Sequence, residues 1–297
     1  MASKTKPVEA LPAYLSPILI EEAVRSALLE DLGRAGDITS NATIPVAAKA
    51  KAVLATREAG ILSGLELAEA AFRAIDPTLK FKALAKDGER IKAKQKVARI
   101  EGNARAILAG ERVALNYLMR MSGIATYTAQ FQDLINHTSA RICDTRKTIP
   151  GHRAFDKYAV KCGGGSNHRF GLDDAILIKD NHIAVSGGVG LAIKRAKAYA
   201  GHLVKVEVEV DTLTQFKQAL KAEPDVVLLD NMTPKQLAEA VAINQKDNGG
   251  RIKLEASGNV NISTVKSVAE SGVDYISTSK ITMAAPTLDL GLDIVIG

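Results

Sequence analysis

The sequence has no tryptophan, few aromatic residues of any kind, and no apolar run that approaches the length of a membrane span. Its only cysteines, Cys143 and Cys162, lie in no CxxC pair and in no Cys/His metal spacing. These absences argue against a disulfide framework or a zinc site and are typical of the reducing cytosol. Residues 1–17 carry lysines but lack the apolar core of a secretion signal. We therefore expect a cytoplasmic protein with no membrane partner.

Several catalytic signatures are also missing. The sequence contains no Walker A motif, no HExxH pair and no nucleophile elbow. The glycines at 187–190 lack the spacing and the preceding strand of a dinucleotide fingerprint. The common motif-based classes of nucleotide-binding protein, zinc protease and serine hydrolase are thereby disfavoured.

The 297-residue chain carries a formal net charge of +6. Such a protein can bind nucleic acid, but that function usually involves a basic helix or a stripe of basic and aromatic residues. Here the basic residues cluster near the ends of apolar, strand-like segments. The sequence therefore favours an anionic metabolite over nucleic acid as the ligand.

The densest cluster of cations occupies residues 144–182 and surrounds three consecutive glycines at 163–165. Its members are Arg146, Lys147, Arg153, His168, Arg169 and Lys179. Arginine grips carboxylates or phosphates with paired hydrogen bonds, lysine acts as a point charge, and histidine changes its donor state near neutral pH. We expect a pocket for a small polyanion, in which the glycines let the backbone approach the ligand.

Hydrophobic periodicity predicts two unlike halves. The first half should contain helices at 17–32, 65–75, 104–121 and 124–136, strands at 52–55, 80–84 and 97–100, and a turn at Asp87-Gly88. The second should alternate strands at 141–144, 175–179, 204–210, 226–229, 252–255 and 275–277 with helices at 191–200, 213–220, 235–244 and 262–271. Such alternation predicts parallel strands covered by helices, as in an incomplete α/β barrel or an open doubly wound sheet.

The carboxyl ends of parallel strands share one edge of the sheet, and each predicted strand ends in polar residues. Between 204 and 210 valines alternate with Glu207 and Glu209, so we expect the valines to face the helices and the glutamates to face the interior. Interior carboxylates need compensating cations or a metal. Because Asp230 ends the next strand, Glu209 and Asp230 predict a Mg²⁺ site shared with substrate phosphates. The alternative is an edge strand of the sheet with one solvent-exposed face.

Two later strand ends are rich in small polar residues. Ser257-Gly258-Asn259 precedes a predicted helix, and Thr278-Ser279-Lys280 ends the last strand. Free backbone N–H groups at a helix start, with hydroxyls beside them, bind anions. Ser-Gly-Asn is also ordinary turn chemistry, so the phosphate site and the plain turn both stay open.

Several motifs together resemble the quinolinate phosphoribosyltransferase family along nearly the whole chain. They are, in order, EDLGRAGDITS at 30–40, ERVALNYLMRMSGIAT at 111–126, TRKTIPGHRAFDKYAVKCGGGSNHRFGLDDAILIKDNH at 145–182, VEVEVD at 206–211, LLDNM at 228–232 and LEASGN at 254–259. Long motifs in this order are far more specific than one short pattern. The resemblance implies the type II phosphoribosyltransferase fold: an amino-terminal α/β sandwich domain at 1–115, joined by a return of 286–297, and a seven-stranded incomplete α/β barrel at 116–285.

The resemblance implies a pentosyl transfer that joins quinolinate to phosphoribosyl pyrophosphate and releases pyrophosphate and CO₂. The product would be nicotinate mononucleotide, a precursor of NAD. Mg²⁺ is implied, and no organic cofactor. A homodimer or a hexamer is also implied, in which Arg112 is lent to the partner's pocket, although the residue alone is typical of an arginine on an exposed helix.

The resemblance also assigns roles to the polar strand ends. Around quinolinate it places Arg112, Thr145, Arg146, Lys147, His168, Arg169 and Lys179. Around phosphoribosyl pyrophosphate it places Glu209, Asp230, Ser257, Gly258, Asn259, Ser279, Lys280 and Ile281. Lys147, Glu209 and Asp230 would act in catalysis, and the last two would hold Mg²⁺ directly or through water. Many relatives have Gly-Ala in place of Ser279-Lys280, and some have a second glycine in place of Asn259.

Two rival functions remain. A sister phosphoribosyltransferase of the molybdenum-associated kind would share the fold and act on another base. The retained cations favour a dicarboxylate, because a neutral base would leave them unpaired. A protein that only binds anions or nucleic acid would show binding with a steep salt dependence and no turnover.

Overall fold

A computed structural model of the chain describes residues 13–295. Residues 1–12, which belong to the segment predicted to lack a secretion signal, lie outside the described residues. Residues 296 and 297 of the predicted carboxyl-terminal return also lie outside them. No helix in the described part is long and apolar enough to cross a bilayer.

Helices and strands follow one another in two sets. The first set is α1 (Pro17–Leu32), α2 (Ile38–Thr43), β1 (Lys49–Thr56), β2 (Gly60–Ile61), α3 (Leu65–Ile75), β3 (Lys80–Ala83), β4 (Arg90–Ile91) and β5 (Lys96–Asn103). The second set is α4 (Ala104–Ile135), β6 (Arg141–Cys143), α5 (Arg153–Cys162), β7 (Ile176–Ile178), α6 (Asp180–Ser186), α7 (Val189–Tyr199), β8 (Val206–Val210), α8 (Leu213–Ala222), β9 (Val226–Asp230), α9 (Pro234–Asn248), β10 (Lys253–Ser257), α10 (Val265–Ala269), β11 (Tyr275–Ser277), α11 (Lys280–Met283) and β12 (Leu290–Val295).

The smaller layer is an antiparallel sheet in the order β12-β1-β5-β3. Helix α3 buries Phe72 and Leu67 completely, and it packs against α1 and α4. β12 pairs with β1 from Val295 opposite Lys51 to Leu290 opposite Thr56. The last described strand therefore lies in the sheet of the first half of the chain.

Helix α4 is one continuous helix of 32 residues, so the prediction of two helices separated near residue 122 is wrong. Ser122 and Gly123, which lie between the two predicted helices, serve packing. The hydroxyl of Ser122 donates to the backbone carbonyl of Ser63, and a Cβ at Gly123 would lie 2.1 Å from the carbonyl oxygen of Pro286. The domain boundary after residue 115 stays a prediction, and it falls within this helix.

The larger layer is a parallel sheet in the order β6-β11-β10-β9-β8-β7, with helices between consecutive strands. Ser166 adds a single parallel bridge to Cys143 on the outer side of β6, which is where the seventh strand of the implied barrel would lie. Among residues 13–295 no strand pairing joins this segment to β7, so the barrel is incomplete. The predicted α/β fold is confirmed, with six full strands and one bridged segment.

Strand β8 has the two predicted faces. Val206, Val208 and Val210 are buried, and the strand contacts helices α7 and α8. The alternating Glu207 and Glu209 face the barrel interior. Because β8 lies between β7 and β9, the alternative of an edge strand is wrong.

Candidate active site

A pocket of about 690 Å³ opens at the carboxyl ends of the parallel strands. Most of the predicted site residues line it: Thr145, Arg146, Lys147, His168, Arg169, Lys179, Glu209, Asp230, Ser257, Gly258, Asn259, Ser279 and Lys280. Thr278, which was predicted with Ser279 and Lys280 as an anion site, also lines it. The pocket has further lining residues that were not predicted: Leu177, Leu228, Asn231, Glu255, Val260 and Ser277. Most of the predicted cations therefore meet the predicted carboxylates at one opening.

The guanidinium groups at the cationic end of this pocket are only partly paired with protein: Nη1 of Arg169 donates to the carbonyl of Ala175 at 3.0 Å. Arg146 and Arg169 each have a buried Nε that makes no hydrogen bond within the described part of the chain. Burial, followed by the charge of Arg146, lowers the pKa of Arg169. Two half-buried cations side by side cost free energy unless an anion pairs with them. The arrangement is suited to a ligand that carries more than one negative charge.

A buried ion pair fixes the backbone next to these arginines. Lys157 Nζ on α5 lies 2.5 Å from Asp144 Oδ1, which follows β6, and both side chains are almost completely buried. Asp144 also accepts from the backbone N–H of His168 at 2.9 Å and from the side-chain amide of Asn167 at 2.6 Å. Lys157 donates to the carbonyl of His168 at 3.0 Å. This pair was not predicted from the sequence, and it holds His168 by both of its backbone polar groups.

His168 points into the barrel. Its Nε2 lies 2.9 Å from Glu207 Oε2 and 3.7 Å from Glu255 Oε1, while its Nδ1 accepts from the backbone N–H of Arg169 at 2.8 Å. Burial, and next the charge of Glu207, raise the pKa of Glu255 to about 7. The family-implied contact of His168 with a substrate carboxylate is not preformed, since both of its ring nitrogens already have protein partners.

The acidic side of the pocket lies on neighbouring strands. Register places Glu209 of β8, Leu228 of β9 and Glu255 of β10 in one row across the sheet. Lys179 Nζ lies 2.5 Å from Glu209 Oε2, so a cation of the predicted base site contacts a carboxylate of the predicted ribose site. Burial, and next the charge of Asp211, raise the pKa of Asp230. A positive charge placed here would therefore stabilise the carboxylate form of Asp230.

The two candidate phosphate loops are joined to each other. The Thr278 hydroxyl donates to the carbonyl of Val260 at 3.1 Å, which links the end of β11 to the loop after β10. Gly258 has a φ of 92°, and a Cβ there would lie 2.2 Å from Asn231 Oδ1. The helix predicted at 262–271 is shorter than expected, because α10 runs only from Val265 to Ala269. The backbone N–H groups of this site belong to a turn rather than to a helix start.

Comparison with known families agrees with this geometry. A model of the quinolinate phosphoribosyl transferase N-terminal domain matches residues 37–122, and the C-terminal domain model of the same family matches residues 124–293. The chain belongs to the quinolinate phosphoribosyltransferase family. The predicted resemblance is thereby confirmed.

Relatives in this family match over nearly their full length. A probable nicotinate-nucleotide pyrophosphorylase (carboxylating) from Synechocystis is 37% identical over 295 residues, which covers 99% of this chain and 98% of the relative. A Bacillus subtilis protein with the same description is 38% identical over 280 residues, covering 94% and 95%. The solved structure of the nicotinate-nucleotide pyrophosphorylase from Francisella tularensis has 37% identity and a TM-score of 0.91, covering 97% of this chain and 100% of that one.

Two residues assigned through the quinolinate phosphoribosyltransferase resemblance do not line the pocket. Arg112 lies on α4 and is exposed. The Ile281 side chain is fully buried in the hydrophobic core, so only its backbone could contact a phosphate. Arg112 therefore cannot serve the pocket of its own subunit in this arrangement.

Two features of the cation-rich segment have packing roles. Arg153 donates to the Thr148 hydroxyl at 3.2 Å and to the carbonyls of Phe170 and Arg146, and it braces the loop without lining the pocket. A Cβ at Gly163 would lie 2.3 Å from the carbonyl oxygen of Ala125 on α4. The expectation that the glycines at 163–165 approach a ligand is wrong, because none of them lines the pocket.

Proposed function

We propose that the chain is a quinolinate phosphoribosyltransferase, which converts quinolinate and phosphoribosyl pyrophosphate to nicotinate mononucleotide, pyrophosphate and CO₂. The observation that carries this proposal is the pair of buried guanidinium nitrogens on Arg146 and Arg169 that have no partner within the described residues. They lie in the same pocket as the carboxylates of Glu209 and Asp230. A site with unpaired cations at one end and carboxylates at the other suits a dicarboxylate base and a ribose donor.

The base would lie at the cationic end. Arg146 and Arg169 would bind the two carboxylates of quinolinate, with Thr145 and Lys179 at the side and Lys147 near the reacting atoms. Each charge-assisted hydrogen bond contributes about 1.5–3 kcal/mol when water is excluded. Such pairing offsets the repulsion between two anionic substrates and orients the pyridine nitrogen toward the ribose.

The ribose donor would lie at the acidic end. As pyrophosphate leaves, C1 of the ribose gains positive character, which the carboxylate of Glu209 or Asp230 would stabilise. Ser257, Gly258 and Asn259, together with the Ser279 to Ile281 segment, would bind the 5′-phosphate. The exposed amine of Lys280 at the mouth of the pocket is available to this phosphate.

Magnesium fits the same end of the pocket. Carboxylates with open positions beside a phosphorylated substrate are the ligands that Mg²⁺ prefers, and the raised pKa of Asp230 indicates a carboxylate that a cation would stabilise. Glu209 and Asp230 would hold the ion, directly or through water. When bound, Mg²⁺ would neutralise charge on the departing pyrophosphate.

Decarboxylation requires no covalent nucleophile and no organic cofactor. Once the pyridine nitrogen is alkylated, the ring is positively charged and stabilises the electron pair left when the adjacent carboxylate departs as CO₂. The residues of the pocket contribute orientation, charge neutralisation and exclusion of water. We propose that this chemistry takes place in the cytoplasm, as the cysteine content predicts.

The proposal is tested by its products. Purified protein with Mg²⁺, quinolinate and phosphoribosyl pyrophosphate should yield nicotinate mononucleotide and CO₂ in equal amounts, because both come from the same turnover. Chromatography and capture of labelled CO₂ measure the two products. Activity with nicotinate but not with quinolinate would reject the dicarboxylate and favour the sister phosphoribosyltransferase; salt-sensitive binding without any turnover would favour an anion-binding protein.

We further propose a homodimer, alone or within a hexamer, in which each subunit lends Arg112 to its partner's pocket. The exposed position of Arg112, away from its own pocket, supports this assignment. Mixing Arg112→Ala subunits with Arg146→Ala subunits should restore activity to about half of the wild-type value per mixed dimer, since one of its two pockets regains both arginines. The measurement is turnover in mixed dimers isolated by two affinity tags. If confirmed mixed dimers stay as inactive as either parent, Arg112 is not shared across the interface.

A further inference from the structure

Beneath the cationic end of the pocket lie two carboxylates that the proposed reaction does not employ. Glu207 is 7% exposed and Glu255 is 4% exposed, and both lie close to Nε2 of His168. The Oε1 atom of each glutamate is buried and has no hydrogen-bond partner in the described part of the chain. Two carboxylates buried so close together cannot both stay ionised without a large free-energy cost.

The orientation of the His168 ring decides what this group can bind. Its Nδ1 accepts a hydrogen bond from the backbone N–H of Arg169, so Nδ1 carries no proton and Nε2 carries one. The Nε2–H then donates to Glu207. In this tautomer Nε2 has no free electron pair for a metal ion. His168, Glu207 and Glu255, which we call the floor triad, are therefore arranged to share protons.

Charged neighbours from other elements do not neutralise Glu255. Lys157 of α5 is already paired with Asp144, which itself adds negative charge near the floor triad. Arg169 adds positive charge on the side of Glu207. The thiol of Cys143 on β6 also faces the triad, and burial raises its pKa well above the usual value, so it stays neutral. The remaining way to reduce the negative charge on the triad is to bind a proton.

The protonation of the floor triad changes near neutral pH. The pKa of Glu255 is raised to about 7, first by burial and next by Glu207. Burial lowers the pKa of His168, whereas its hydrogen bond to Glu207 and the charges of Glu255 and Glu207 raise it, and the net direction is upward. A second proton on the ring would have to lie on Nδ1 and would break the hydrogen bond that Nδ1 accepts from Arg169, so Glu255 is the group that gains a proton below neutral pH.

From this geometry we infer that Glu207 and Glu255 are positioning residues that act through His168, and that binding of the dicarboxylate substrate brings a proton to Glu255. The inference rests on the proposed function, because it requires quinolinate against Arg146 and Arg169. Two further negative charges above the triad make its ionised form less favourable. The bound complex therefore takes up a proton, which keeps the floor of the pocket from repelling the ligand.

Proton uptake can be measured without catalysis. Calorimetric titration of wild-type protein with quinolinate at pH 7.5, in buffers that differ in ionisation enthalpy, gives the number of protons taken up per ligand. We expect a substantial fraction of one proton. As pH rises from about 7 to 9, Glu255 is increasingly ionised in the free protein, so the Kd should increase, by at most about tenfold per pH unit for one linked proton. Quinolinate itself keeps the same charge over this range.

A conservative variant tests whether Glu255 is the residue that binds the proton. Glu255→Gln keeps the shape of the side chain but cannot ionise, so proton uptake should fall close to zero and the Kd should lose most of its dependence on pH. The matched control, Glu239→Gln, makes the same change at an exposed position on α9 and should behave as wild type. A purely structural role for Glu255 would change the Kd at all pH values alike.

The outcomes separate the two proposals. If wild-type protein binds quinolinate without taking up a proton, the inference about proton uptake is wrong, and the proposed function is unaffected. Uptake that persists in a folded Glu255→Gln variant would overturn the inference as well. If wild-type protein does not bind quinolinate at all, the proposed function fails and the inference fails with it. The wild-type titration decides the question even if the variant does not fold.

Discussion

Replacing Lys157 by methionine should lower the free energy of unfolding by about 3–5 kcal/mol, the usual cost of breaking a buried ion pair on one side. Asp144 is fully buried and Lys157 is 2% exposed, so water cannot replace the lost ammonium group. Burial already raises the pKa of Asp144 in spite of the nearby Lys157. Without the lysine, the folded protein would hold an uncompensated carboxylate.

Chemical denaturation followed by circular dichroism measures this loss. The deficit should be larger at pH 7.5 than at pH 5.5. A carboxyl with a raised folded-state pKa destabilises the fold as it ionises, and protonation at lower pH removes that effect. Lys161→Met, on the same helix but exposed, should change stability by less than about 0.5 kcal/mol. Equal losses in the two variants would show that the Asp144 pair contributes little.

Replacing Arg146 by alanine should weaken quinolinate binding at least about a hundredfold. Two charge-assisted hydrogen bonds of about 1.5–3 kcal/mol each would be lost together, and each 1.4 kcal/mol corresponds to a factor of ten. Calorimetry with quinolinate alone measures the effect directly. Arg146→Lys keeps the charge but not the planar pair of donors, so its affinity for quinolinate should lie between those of the wild-type protein and Arg146→Ala.

The stability of the Arg146→Ala variant distinguishes binding from folding. Because the buried Nε of Arg146 has no partner in the described structure and Arg169 lies close by, removing the guanidinium group should leave the free energy of unfolding unchanged or raise it. Lys161→Ala, in the same segment but outside the pocket, should leave the affinity for quinolinate unchanged. Near-normal affinity in Arg146→Ala would remove this residue from the base site.

The strands of the barrel and the polar residues at their carboxyl ends, which form the rim of the pocket, could be predicted because each depends on a local sequence pattern. Alternation of valine with Glu207 and Glu209 identified both faces of β8, and polar residues after each strand identified the rim. The ion pair between Asp144 and Lys157 had no such signal. Lys157 has the sequence context of an ordinary helix lysine, and its partner lies thirteen residues away on another element.

The incorrect predictions concern residues whose chemistry has two common uses. Glycine permits a close approach either to a ligand or to another segment of backbone, and Gly123 and Gly163 are used for the second purpose. Arginine binds substrates or braces loops, and Arg153 does the latter. Only tertiary contacts separate such uses, because the local sequence is compatible with each.

The pairing of β12 with β1 has a consequence for the order in which the chain can fold. Residues 290–295 leave the ribosome after every strand of the barrel has been synthesised, and until then β1 presents an open hydrogen-bonding edge. During translation this edge can pair with other nascent chains, so we expect the amino-terminal sheet to be most prone to aggregation before β12 has been synthesised. The last described strand therefore completes the first sheet only after the barrel strands have been made.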